Sequence, residues 1–304
     1  MVNIIGKRKI AFSISGFLFV GSFLSLLFFG LKPGIDFTGG SLLELSFSER
    51  RPPVSDVEDL LAPLKLGHTL IQPAGDRGYI LKMRFITEPE HQSLLIGFRA
   101  SYELGTNKVL EERFETIGPA VSAQLRSRAV STVLMVMLAI LLFIAYAFRR
   151  VSRPVNSWNY GMAALVALIH DVVITVGAFT LMSRFLGVEA DIQFVVAVLT
   201  VLGYSVNDTI VVFDRIRENL IKRPHPTFAG TVNAAINETF VRSINTSLTV
   251  LLVLTALFLF GGATIHYFAL TLIIGIFIGT YSSIFVASPV LVTWYEWRQK
   301  RRQA

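Results

Sequence analysis

The chain has 304 residues, 53% of them hydrophobic, a formal net charge of +7 and no cysteine. So apolar a composition fits a polytopic membrane protein better than a soluble domain. The lack of cysteine excludes disulfides and thiolate metal sites.

Six apolar runs follow one another, at residues 10–30, 130–148, 160–182, 192–213, 244–260 and 268–294. Most reach the roughly 17–25 residues that cross about 30 Å of hydrocarbon. The first follows Lys7, Arg8 and Lys9 and is longer than the apolar part of a cleaved leader, so it reads as a retained signal anchor. The fifth is short and begins among Asn245, Thr246, Ser247 and Thr249; the sixth is long enough to tilt or to outrun the interface.

Outside residues 33–124 there are 19 Lys and Arg against 8 Asp and Glu. Fifteen of those 19 bases lie at 7–9, 149–153, 215–242 and 298–302. The positive-inside rule then predicts six crossings with both termini cytoplasmic. The positive charge accordingly reports topology and contact with anionic membrane lipid, and no nucleic-acid partner is expected.

Residues 33–124 carry 13 of the 21 acidic residues and form an exported loop between the first two helices. Alternation predicts strands at 41–47, 79–86 and 109–117, and a short helix at 54–64 with Ser55 as a cap ahead of Glu58. Residues 91–104 fit either state. Strands interleaved with helices predict a small α+β, ferredoxin-like module. His68 and His91 have no neighbours at metal-ligand spacing and read as surface or capping groups. The predicted division is 1–32 for the N-terminus and first helix, 33–127 for the exported domain, 128–295 for a five-helix bundle and 296–304 for a basic tail.

Gly34-Ile-Asp-Phe-Thr-Gly-Gly40 follows the first run. Gly39 and Gly40 permit positive φ and a tight elbow, and Asp36 either caps that turn or stands at the mouth of an ion path. His170 and Asp171 interrupt the third run near the bilayer middle and point about 100° apart on a helix. Such a pair can relay protons, because His titrates near neutral pH, or can lock helices together by hydrogen bonds.

Gly203-Tyr-Ser-Val-Asn-Asp-Thr-Ile-Val-Val-Phe-Asp-Arg215 is the strongest signal. Gly203 and Asn207 share one helical face; Asp208 shares another with Val212 and Arg215. A charge at that depth costs about 2.5–3.5 kcal/mol on insertion scales, so Asp208 is expected to face protein or a water path and to exchange a proton there. Asp214 marks the interface. Arg242, where the fifth helix is expected to open, either snorkels to the surface or leans on Asp208. Gly275 and Gly279, with Thr280, Ser282 and Ser283, form a small-residue stripe suited to close packing.

These motifs, with Ile117-Gly-Pro119, Ile216-Arg-Glu-Asn219, Phe260-Gly-Gly262 and the stretches 242–247 and 278–287, resemble the SecD/SecF protein-export family of the resistance-nodulation-division-like superfamily. The resemblance runs along almost the whole chain. It implies a non-enzymatic subunit of the bacterial inner membrane that pairs with SecD, associates with the SecYEG channel and YajC, and contacts translocating preprotein in the periplasm. It further implies protons as coupling ion, no other cofactor and no metal, with the intramembrane aspartate at Asp208 and the helix-five arginine at Arg242. Departures fall at 148–158, longer than the usual turn, at Gln124, where Glu is frequent, and at Phe240-Val241. Three rivals remain: an intramembrane aspartyl protease built on Asp171 and Asp208, a small-molecule exporter, and a purely structural partner subunit. The protease's Gly-x-Gly-Asp signature is missing, and an exporter would carry two exported domains and twelve helices.

Overall fold

The computed structural model describes residues 2–67, 69–149, 154–222 and 225–303. His68 and residues 150–153 of the basic connection, for which a role was anticipated, lie outside them. In chain order the elements are α1 (Arg8–Phe29), α2 (Ile35–Thr38), β1 (Gly40–Phe47), α3 (Val54–Leu61), β2 (Leu70–Ala74), β3 (Gly78–Met83), α4 (Glu88–Tyr102), β4 (Val109–Ile117), α5 (Pro119–Ala147), α6 (Ser157–Leu186), α7 (Ile192–Lys222), α8 (Phe228–Phe260), α9 (Ala263–Ser282) and α10 (Ser288–Gln303). They form two compact units, Met1–Lys32 with Val130–Ala304, and Pro33–Ala129.

The first unit is helical. Among the described residues, six passages of 25 to 37 residues are long and apolar enough to cross a membrane. The fifth is not short: α8 runs unbroken for 33 residues, opened by Thr227, whose side chain accepts from the Gly230 amide. Its first half is polar, which breaks a hydropathy window. The buried Val232, Ala235 and Ile236 alternate there with polar residues at helical spacing. Arg242 therefore sits mid-helix and does not open it. The sixth passage extends as anticipated, but it is two α-helices joined by a π-helical segment, Ser283–Ala287.

Small residues set the closest approaches. A Cβ on Gly275 would fall 2.1 Å from Val201 Cγ2, and one on Gly279 would fall 2.8 Å from Ser205 Cβ. Both glycines thus let α9 lie against α7 at a distance no larger residue allows. Two turns further along α7, Phe213 meets Tyr160 edge-on, and Tyr160 stacks on Phe148 at 5.2 Å.

The second unit holds a four-stranded antiparallel sheet in the order β2-β3-β1-β4. Leu43, Leu45 and Phe47 of β1 alternate into a core with Tyr79 and Leu81, against Val57 and Leu61 of α3 and Leu94 and Phe98 of α4. Three of the strands were anticipated. β2 was missed because Pro73 interrupts it, and an edge strand tolerates that proline. The ambiguous stretch is α4, started by Thr87 and Glu90 in a reciprocal capping box. Ser55 is no cap: α3 starts after Pro53 without a side-chain cap, and the Ser55 hydroxyl donates to Asp56. His91 is no surface group either. It is 4% exposed and stacks on Phe114 with centroids 3.7 Å apart, between Glu88 and Glu111.

Arg84 donates to Glu90 at 2.6 Å, and the Thr87 amide donates to it at 2.8 Å. These hold the Glu90 carboxyl at about 2, below its ordinary 4.5. A depressed carboxylate stabilises the fold above its ordinary value, and that contribution disappears as pH falls toward the folded value. Amide exchange in the first turn of α4, corrected for intrinsic rates, should therefore stay slow at pH 4.5 and quicken between there and pH 2. Because the pair is exposed, salt should weaken the effect. Glu90→Gln should flatten the profile, and an unchanged profile in that variant would contradict the assignment.

Candidate functional site

The site is assembled where α6, α7, α8 and the end of α9 meet. Asp171 is fully buried, and its carboxylate accepts three hydrogen bonds. Ser205 Oγ of α7 donates at 2.5 Å, Ser282 Oγ of α9 at 2.7 Å, and His170 Nδ1 lies 2.9 Å away. His170 is itself buried between Phe19 of α1 and Tyr281, each ring 6.5 Å distant. Tyr281 in turn donates to the Ala11 carbonyl and accepts from Ser15. One carboxylate so ties α6 to α7 and α9, and its neighbouring imidazole ties the group to α1.

Asp208 is also buried, at 3% exposure, but is held far less tightly. Ser247 Oγ of α8 donates to it at 3.5 Å. Ser247 shares a 2.5 Å hydrogen bond with Thr280 of α9 and accepts one at 3.3 Å from Tyr204. Ser243 lies buried one turn earlier on the same face of α8. Two buried carboxylates of α6 and α7 thus sit in different company. Asp171 is saturated with donors, while Asp208 has one long hydrogen bond, with the Ser243 hydroxyl and the Arg242 charge near enough to act on it.

Arg242 is adjacent to Ser243 but exposed, and no ion pair with Asp208 occurs among the described residues. Asn207 and Gly203 lie on the exposed face of α7, and among the described residues nothing beyond the helix's own turn comes within 4 Å of a Cβ placed on Gly203. Asp214 is exposed and pairs with Arg217 at 3.0 Å, an ordinary boundary charge. Next to it Arg215 clamps Glu218 and Glu238, and Asn219 donates to Glu238, fastening the end of α7 to α8.

The elbow belongs to the second unit. Gly39 and Gly40 have φ of +77° and +135°, and a Cβ on Gly40 would fall 2.6 Å from the Met83 carbonyl oxygen. Only glycine joins α2 to β1 in that geometry. Asp36 lies half-buried in the single turn of α2.

Comparison with known proteins bears on these motifs directly. Residues 99–297 match the family described as protein export membrane protein SecD/SecF, C-terminal, and residues 24–49 match the SecD/SecF GG motif. The chain belongs to the SecD/SecF protein-export family. It is 40% identical over 304 residues to the protein translocase subunit SecF of Thermobaculum terrenum, covering 97% of this chain and 94% of that protein. The SecF of Vibrio alginolyticus is 38% identical over 284 residues, covering 93% and 86%. Among solved structures, SecDF from Thermus thermophilus, a translocon-associated membrane protein, superposes with a TM-score of 0.80 at 34% identity. That match covers 97% of this chain and 39% of the solved chain. A super-membrane-facing form of SecDF gives 0.70, covering 99% and 40%.

The family places the chain as a multi-pass membrane protein, and its GG motif coincides with the elbow. Sequence reasoning found both carboxylates and missed their partners. Ser205 gave no signal of its own, since lone serines are common in membrane helices, and Ser247 was noticed only as part of the polar start of the fifth run. Ser282 and Thr280 were noticed only as small packing residues. Removing the Ser205 hydroxyl leaves a buried carboxylate short of one donor, so Ser205→Ala should cost about 1–3 kcal/mol. In thermal melts of the detergent-solubilised chain, the loss should shrink when Asp171→Asn is already present. Additive effects in that double-mutant cycle would show that the two groups are not coupled.

Proposed function

We propose that the chain is a SecF-type subunit of the inner membrane that works with a SecD-type partner to couple proton movement to late steps of protein export. The observation that carries this reading is the contrast between the two buried carboxylates. A group saturated with donors resists a change of charge; one with a single 3.5 Å hydrogen bond can take up and release a proton with little rearrangement. Asp208 is then the proton site. His170 and Asp171 hold the helices around it, and the coupling is conformational, without bond chemistry or a cofactor other than the proton.

Asn207, Gly203 and Arg242 support a partner next to this site. All three are exposed on long apolar helices, where polar groups favour protein over lipid. In this reading a SecD-type subunit covers that face and Arg242 modulates Asp208 across the boundary. Association with the SecYEG channel and YajC, and contact of the Pro33–Ala129 unit with preprotein, belong to the same proposal. The order β1-α3-β2-β3-α4-β4, with strands arranged β2-β3-β1-β4, supports a ferredoxin-like module. The basic residues around Lys7–Lys9 and 298–301 support cytoplasmic termini and a periplasmic position for that module.

Asp208→Asn should insert and assemble yet lose roughly tenfold or more of the export that depends on an imposed proton gradient, equivalent to about 1.4 kcal/mol in the coupled step. Wild-type rates in inverted vesicles carrying Asp208→Asn would leave only a structural role for this subunit. Arg242→Met should also lower gradient-dependent export, whereas full activity would mean that the arginine merely snorkels.

A further inference from the structure

The N-terminal residues do not trail from α1. They are strapped across α8. Asn237 Oδ1 accepts from the Val2 amide at 2.8 Å, and Asn233 Oδ1 accepts from the amides of Ile4 and Ile5 at 2.9 and 3.2 Å. Both asparagine amides donate back to the Val2 carbonyl. Asn233 and Asn237 are one turn apart, so one face of α8 grips the strap at two points.

Below the strap lies a groove of about 600 Å³ between α1, α8 and the π-helical segment. That volume falls in the roughly 300–1,000 Å³ range of ligand sites. Its walls are graded. Lys7 lines it where α1 begins, and Ile10 and Ile14 follow at helical spacing on the same side, facing Phe240 and Val241 of α8. No carboxylate lines it, and Lys7 has no ion-pair partner among the described residues, whereas neighbouring Arg8 is engaged by Glu296 at 2.6 Å. A lone cation at the mouth of an apolar cleft within a membrane-spanning bundle has the polarity of an anionic lipid, headgroup at one end and hydrocarbon at the other.

We infer that this groove binds one anionic glycerophospholipid, its phosphate on Lys7 and one acyl chain along Ile10, Ile14, Phe240 and Val241. Charge complementarity selects this occupant over a zwitterionic lipid. The strap fixes the rim, so the site is built before the lipid enters. A lipid there would bridge α1 and α8, two helices otherwise joined through the strap.

The test uses the full chain taken from vesicles of equal dioleoyl-phosphatidylglycerol and dioleoyl-phosphatidylcholine and analysed by native mass spectrometry. The wild type should retain one phosphatidylglycerol in preference to phosphatidylcholine. Lys7→Gln should lower that preference about fivefold, the worth of one lysine at an anionic surface. Ile14→Trp, which fills the groove, should reduce retention of both lipids. Should the tryptophan variant fold poorly, a benzophenone amino acid at Val241 gives an independent reading in an otherwise unaltered chain. It should acquire the mass of one phospholipid more readily than the same group at Phe17, which is exposed on α1 and does not line the groove. Equal labelling at the two positions, cross-linking of Val241 to a polypeptide, or a lipid preference indifferent to Lys7→Gln would each overturn the proposal.

Discussion

The membrane unit is organised around the need to satisfy a carboxylate that water does not reach. Asp171 is fully buried in a helix of mostly apolar composition, so each donor it needs must come from protein. Those donors are supplied by α6 itself, α7 and α9. The arrangement fixes more than a hydrogen bond. Ser205 sits where Gly279 admits α9 to close approach, so the polar contact and the tight packing enforce each other. Neither a larger residue at 279 nor a missing hydroxyl at 205 is compatible with that geometry.

Asp208 gains its character by comparison. Its helix is held at one end by the Arg215–Glu238 clamp and at mid-length by the Asp171 node. Between them the carboxylate has one long hydrogen bond, to Ser247, with the Ser243 hydroxyl close by, while Asn207 beside it turns outward. A rigid frame with one lightly held ionisable group is what a proton-coupled switch requires: changes of charge should move one contact and leave the scaffold intact. Under the proposed proton coupling, the inverse arrangement, with Asp208 saturated and Asp171 free, would put the change of charge where three helices depend on it.

Much of this was legible in the sequence because depth and apolarity are one-dimensional properties. The six crossings, the two carboxylates and the glycine elbow follow from counting residues and noting where charge interrupts them. The polar first half of α8 hid its true start, since Asn233, Asn237 and Arg242 defeat a hydropathy reading while being good enough helix formers once packed. His91 looked like a surface residue because nothing in its own neighbourhood reveals Phe114, 23 positions later and on strand β4. Likewise Pro73 concealed an edge strand whose partner is supplied by β3. Whatever depended on contact between distant segments was out of reach, including every hydroxyl that serves the two carboxylates.

The end of α9 shows how such contacts are generated from a plain stretch of sequence. Successive helical residues turn by about 100°, so Thr280, Ser282 and Ser283 point in three different directions within one turn. Thr280 meets Ser247 of α8, Ser282 meets Asp171 of α6, and Ser283 meets Thr209 and the Ser205 carbonyl of α7. A run that reads as small and polar is therefore a hub addressing three helices at once. The π-helical segment begins at Ser283, and the Ser288 hydroxyl returns to the Ser283 carbonyl at 3.3 Å, across the loosened turn. The wider turn thus starts at the last of the three hub hydroxyls, so the irregular hydrogen bonding of the passage coincides with the point where it addresses its neighbours.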